Sequence, residues 1–219
     1  MITLALDAST YTGTVAVWRD QQLVAEAATP MRDAAHERLM PAVASALGEA
    51  RAKAHELSRV VCGGGPGSFT SLRIAGAIAK GIAMADGAEL WSVPSLALIV
   101  AGAQPPLPAG HYLAVLDALR GELYASAFDV ASDGTVHEIA QPRIIPVSSL
   151  DGLAAELEAT VLGPGRSIAR EPHARGAVAL MRCGVARQVS SSEWEPEYGR
   201  LAEAQVRWEA AHGRPLPNA

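Results

Sequence analysis

Two stretches of this chain carry residue types that can do chemistry. The first is Asp7, which ends the apolar run "ITLALD" and is followed by Ser9 and Thr10. A carboxylate at the carboxyl end of a buried strand, before a tight polar turn, is one way to hold Mg²⁺ beside a nucleotide phosphate. The same arrangement also serves simply to cap the turn through Ser9 and Thr10. The second is "CGGGPGSFTSLRIA", residues 62–75, in which four glycines and a proline fill positions 63–67. A glycine-rich turn between a strand and a helix is the usual phosphate cradle, its donors being backbone amides and the helix N-terminus. Two common forms are excluded. A Walker loop needs a lysine directly after its closing glycine, and here the next lysine is Lys80. The dinucleotide fingerprint needs a third glycine where Ser68 stands. What survives is an anion site built from Asp7, Ser9, Gly64, Gly65, Gly67 and Ser68. The alternative is a close strand-to-helix junction with Ser68 or Thr70 as the helix N-cap.

Other chemistry finds little support. The histidines at 36, 55, 111, 137, 173 and 212 include no i,i+4 pair of the kind that holds zinc on a helix. Cys62 and Cys183 have no metal or redox spacing and read as reduced thiols of a cytoplasmic protein. No catalytic residue, resident metal or cofactor is expected. A net charge of −5 argues against a nucleic-acid binder working alone. No signal peptide and no membrane-spanning segment is expected.

The elements that must position these residues follow from hydrophobic periodicity. Residues 2–28 read as three strands, and residues 34–52 as an amphipathic helix with His36, Leu39, Met40, Val43 and Leu47 on its apolar side. "LSRVVCG" is a short buried strand leading into the glycine loop. A second helix runs from Ser68 to about Ala85, and Ala75, Ala79 and Ala83 form a row without bulk along it. Such faces, with Leu72, can receive a partner's helix or can cover the chain's own sheet. A strand and a helix start follow, and then a linker over 103–111 with four helix breakers.

Beyond the linker the pattern restarts. "LAVLDALRGELYASAF" sets Asp117 on Asp7 at an offset of 110 residues, and "VLGPGRS" at 161–167 echoes "VCGGGPGS" at 61–68. Two echoes in the same order predict an α/β chain with a duplicated βββαβα unit. Its lobes would be 1–103 and a smaller 111–219, irregular after residue 170. This is the layout of the actin-like, Hsp70-like (ASKHA) superfamily, whose nucleotide lies in the cleft between two like halves. On that basis a stand-alone ATP-dependent enzyme of the actin and sugar-kinase type is one reading.

"GGGPGSFTSLRIAGAIAKGIA" resembles the Gly-Pro-Gly-Ser-Phe-Thr-Gly-Leu-Arg-Ile-Gly signature of the TsaB (YeaZ) family, bacterial subunits of the machinery that makes threonylcarbamoyladenosine in tRNA. "LALDAST", "AAHERLMPAV", "LDALRGELYASAF" and "EPEYGR" are similar to further landmarks of that family, in its order and across nearly the whole chain. Departures are Ser71 and Ala75 in place of glycines, Leu119 in place of an arginine, and Gly199 in place of a leucine.

The resemblance implies a non-catalytic scaffold with a degenerate second lobe. It would pair with the transferase TsaD, recruit the ATPase TsaE, self-dimerise when alone and meet tRNA through the complex. ATP and Mg²⁺ would belong to the assembly. The family contact is a helical bundle, here expected to use His36, Leu39, Met40, Val43 and Leu47 with Leu72, Ala75, Ala79 and Ala83. TsaD holds a metal through a His-x3-His pair whose positions fall on Ser95 and Ile99 here, and neither can replace imidazole. That count also weighs against a metallopeptidase, an older reading of the wider family.

Overall fold

A computed structural model describes residues 1–32, 37–166, 168–200, 208 and 211–213. β1 (Ile2–Asp7), β2 (Thr12–Arg19) and β3 (Gln22–Pro30) form an antiparallel meander. All six residues of β1 are buried, as expected of a central strand covered on both faces. After α1 (Leu39–Glu49), β4 (Leu57–Gly63) pairs parallel with β1. After α2 (Phe69–Asp86), β5 (Glu89–Val93) pairs parallel with β4. α3 (Ser95–Ala101) then leads to a second sheet.

That sheet contains β6 (Gly110–Asp117), β7 (Glu122–Val130) and β8 (Val136–Pro146) as a second meander. α4 (Leu150–Glu156) follows, and then β9 (Thr160–Leu162), parallel to β6. α5 (Ala177–Arg182) and β10 (Arg187–Val189) complete the described elements. The strand orders are β10-β5-β4-β1-β2-β3 and β8-β7-β6-β9. Order and direction over the first four strands therefore recur in the second sheet.

Strand alternation sorts the core into layers. Leu4, Leu6, Val15, Val17, Val60 and Cys62 point toward α1 and α2. Ala5, Ala16 and Val61 point the other way. There they join α3 and α5 and the inner face of the second sheet, including Tyr112, Leu116 and Phe128, in one continuous cluster. Leu113, Val115, Leu123 and Ala127 face α4. The order of layers is helices, sheet, helices, sheet, helix.

Two expectations need correction. The second sheet begins at β6 (Gly110–Asp117) after α3, and residues 111–219 do not stay in a lobe of their own. β10 pairs antiparallel with β5 at the edge of the first sheet, and the largest cluster is built from both halves. The second glycine turn is also out of register with the first. The echo sets Val161 on Val61. The pairing sets Leu162 on Val60 instead, because Ala114 pairs with Leu162 where Leu4 pairs with Val60. The second turn thus leaves its strand two residues early. Gly163 lies against Val115, and Asp117 is exposed, accepting the Leu119 N–H at 2.8 Å.

One joint between the sheets titrates. His173 Nδ1 accepts the Arg175 N–H at 3.1 Å, and the next amide, of Ala174, donates to Thr14 Oγ1 at 3.1 Å. Burial, and then the nearby Arg175 guanidinium, push the imidazole down to about 4 from its usual 6.5. An unfolded chain therefore takes up a proton below pH 6.5 that the folded chain refuses, and stability is lost as pH falls from about 6.5 toward 4. His173→Asn keeps a capping acceptor without the titration. Its melting temperature relative to the unsubstituted chain should rise across this window. The expected size is on the order of 1 kcal/mol after solvent screening is allowed for, and a pH-independent gap would contradict it.

Candidate functional site

The glycine loop and Asp7 do come together, because β1 and β4 are neighbours that end at the same level. Asp7 is fully buried. Its Oδ1 accepts the Ser9 N–H (3.0 Å) and the Ser9 hydroxyl (2.8 Å), and its Oδ2 accepts the Ser95 hydroxyl (2.6 Å). Burial dominates over these bonds and raises its carboxyl above the usual range. The Cys62 thiol, buried next to it, is raised by its own burial and by the Asp7 charge, which suppresses thiolate formation.

The glycines are required for clearance. A Cβ at Gly63 would stand 1.8 Å from Asp7 Oδ2, one at Gly67 2.2 Å from the Ser9 carbonyl oxygen, and one at Gly64 2.4 Å from Ser92 Oγ. Gly65, at φ +93°, lies against the Glu197 carbonyl. Three of the loop's donors are occupied as well. The Gly64 N–H donates to Val93 O (2.7 Å), the Gly65 N–H to Ser95 Oγ (3.0 Å) and the Ser68 N–H to Ser9 O (2.7 Å).

The expected anion site is thus corrected. Asp7, Ser9, Gly64, Gly65, Gly67 and Ser68 are adjacent, but they close on one another, and the Ser9, Gly64, Gly65 and Ser68 amides have no free hydrogen to offer a phosphate. Ser68 stands at the N-cap of α2 without a capping bond, its hydroxyl meeting that of Ser71 at 3.0 Å. Beside the loop, a cavity of about 770 Å³ opens between β5 and β10 on one side and β8 on the other. Glu138, Glu195 and Glu197 line it with Arg187. That charge balance repels a polyphosphate.

The expected partner face is corrected too. Leu39, Val43, Leu72, Ala75 and Ala79 have no exposed surface, and Ala83 and Leu47 are 2 % and 9 % exposed. The apolar side of α1 and the alanine row of α2 cover the first sheet, together in one cluster with Leu6, Val60 and Cys62, with Leu72 buried nearby. The small side chains let α2 approach the strands closely. Among the expected contact residues Met40 is exposed, and His36 lies outside the described residues. The start of α1 is capped by Glu37, whose carboxylate accepts the Leu39 and Met40 amides.

A different face of the same helices is open. On α2, Ala77, Gly81, Met84 and Ala85 are exposed, flanked by half-buried Ile74, Ile78 and Ile82. On α1, Met40 and Ala44 are exposed. The signal for this face was a second small row, 77-81-85, running two residues behind the first. Ser95 is a further residue whose role emerges only here. The position that resemblance gives to a metal-binding histidine holds a hydroxyl that bridges Asp7 and Gly65, and Ile99 is fully buried in the shared core.

A family model described as TsaD, tRNA N6-adenosine threonylcarbamoyltransferase, matches residues 30–190. The tRNA threonylcarbamoyladenosine biosynthesis protein TsaB of Bacillus subtilis is 26% identical over 227 residues, covering 95% of this chain and 98% of that protein. The protein of the same name from Escherichia coli is 31% identical over 61% of this chain and 58% of its own length. Two solved structures from Pseudomonas aeruginosa share the fold. YeaZ superposes with a TM-score of 0.73 at 24% identity, over 90% of this chain and 99% of its own. An uncharacterized protein with similarity to peptidase YEAZ superposes with a TM-score of 0.77 at 23% identity, over 91% and 99%.

Proposed function

Because this chain belongs to the tRNA N6-adenosine threonylcarbamoyltransferase family, in its TsaB (YeaZ) group, and so to tRNA threonylcarbamoyladenosine synthesis, we propose that it is the non-catalytic subunit that activates TsaD. It pairs with TsaD in the cytoplasm, and the pair recruits TsaE. The assembly moves a threonylcarbamoyl group from its adenylate to the adenosine beside the anticodon, and this subunit meets tRNA through the complex. Alone, it forms a two-fold dimer through the open face of α2 and α1.

The observation that carries this reading is the Ser95–Ile99 segment. Ser95 closes the glycine loop on Asp7, and Ile99 is core. The residues in the place of the metal-binding pair serve packing. The open face of α2 and α1 supports a docking role, since small and methionine side chains admit a partner's helix closely. The recurrence of strand order supports a duplicated actin-like fold whose second half has degenerated, its glycine turn no longer meeting a carboxylate. A stand-alone kinase would need Asp7 open to a ligand, and it is sealed.

Reconstitution tests the proposal. Unmodified tRNA with TsaD, TsaE and the threonylcarbamoyl donor should yield modified adenosine only when this chain is added. The chain with tRNA and donor alone should yield none. Full modification without it, or modification by it alone, would overturn the reading.

A further inference from the structure

The stretch "WEPEYGR", residues 194–200, touches four separate parts of the molecule, one of them β10, where Glu197 pairs with Arg187 at 3.6 Å. Toward α2, Lys80 Nζ donates to the Trp194 carbonyl (3.0 Å) and to Glu195 (3.2 Å), and Pro196 is buried over Gly76. Toward the glycine loop, the Glu197 N–H donates to Gly64 O (2.7 Å). At the start of α2, the Tyr198 ring packs on Phe69 with centroids 4.5 Å apart. Toward β7, the Tyr124 hydroxyl donates to the Tyr198 carbonyl (3.1 Å), and Arg200 pairs with Glu122. Gly199, at φ +69°, lets the Tyr124 ring lie against the backbone, where a Cβ would stand 2.4 Å from Cε1.

We infer that Trp194–Arg200 is a releasable clasp that fastens helix α2 and the glycine loop of the first sheet to β7 of the second, making the placement of each depend on the other. The segment forms no helix or strand of its own. It is held by a handful of bonds, and its three ion pairs, Lys80–Glu195, Arg187–Glu197 and Arg200–Glu122, are all partly exposed. Such a segment opens locally more readily than the strands it joins. Coupling of this kind is reciprocal: whatever shifts α2 loosens the grip on β7, and whatever enters between the sheets is felt at α2. The inference goes beyond the partner reading and does not need it.

Hydrogen exchange on the full chain tests the clasp. Gly199→Ala drives a methyl into Tyr124. Gly134→Ala, at φ +81° with nothing within 4 Å of its Cβ, imposes comparable backbone strain without a clash and is the control. Gly199→Ala should speed exchange about tenfold in peptides covering 63–70 and 122–126 and leave β3 and α4 unchanged. Arg200→Ala should show the same pattern more weakly, and Gly134→Ala should leave 63–70 unchanged. Unchanged exchange in both clasp variants would overturn the inference, as would loosening confined to 194–200. An even rise over every peptide would overturn it as well, since the segment would then be no separate unit.

Discussion

Arginine at position 81 should leave the chain folded and stop it co-purifying with TsaD, whereas arginine two residues earlier, at 79, should unfold it. The two sites are about 200° apart around the same helix. Ala79 has no exposed surface and packs in the cluster under α2. A guanidinium there loses its water, finds no carboxylate and overfills a methyl-sized space. An unpaired buried charge costs about 3–5 kcal/mol, a large share of the roughly 5–15 kcal/mol that holds a domain together. Gly81 has nothing within 4 Å of an added Cβ. Replacing a glycine inside a helix relieves about 0.5–1 kcal/mol of backbone entropy cost. The Gly81→Arg melting temperature should therefore hold or rise while the long cation blocks the small row 77-81-85. Thermal melts and pull-downs on both variants check this. A folded Gly81→Arg chain that still co-purifies would remove the outer face of α2 from the contact.

Gly63→Ala should destabilise the chain by about 3 kcal/mol, the upper part of the usual range for overpacking. The methyl would enter at 1.8 Å from Asp7 Oδ2 and 2.7 Å from its Cγ. Neither side can yield. The carboxylate is fixed by Ser9 and Ser95, and Gly63 is held in the sheet by its pairing with β5. Removing the carboxylate should make room. In an Asp7→Ala background the same Gly63→Ala change should cost at least about 1 kcal/mol less, the sign of residues in direct contact. Urea unfolding of the four chains of this cycle gives the coupling. Additive costs would show that Gly63 is required for something other than clearance of Asp7.

Much of this protein could be read without coordinates. Period-two alternation in "GTVAVW" and "ELYASAF" placed the hairpins, and the restart after the prolines at 105, 106 and 108 placed the change of sheet. The order of motifs along the chain led to the family. The glycine run announced a junction where backbone must come close, since glycine is the residue with no Cβ to obstruct it.

Other points were settled only by distant contacts. α2 carries small residues on two opposite faces, 75-79-83 and 77-81-85, and helical spacing alone treats both as candidates for either role. The position of the sheet decides that the first is core and the second is surface. The loop, likewise, shows in its own residues the donors of a phosphate cradle. That three of these donors, the amides of Gly64, Gly65 and Ser68, are already taken depends on Val93 and Ser95, about thirty residues on in the chain, and on Ser9, more than fifty residues back. The clasp that covers the loop comes from residues 194–200. By itself the sequence determined which segments can be strands, helices and close turns, because those are local properties of backbone and periodicity. Which faces are buried and which amides are satisfied was decided by tertiary structure, because both depend on groups brought together from remote parts of the chain.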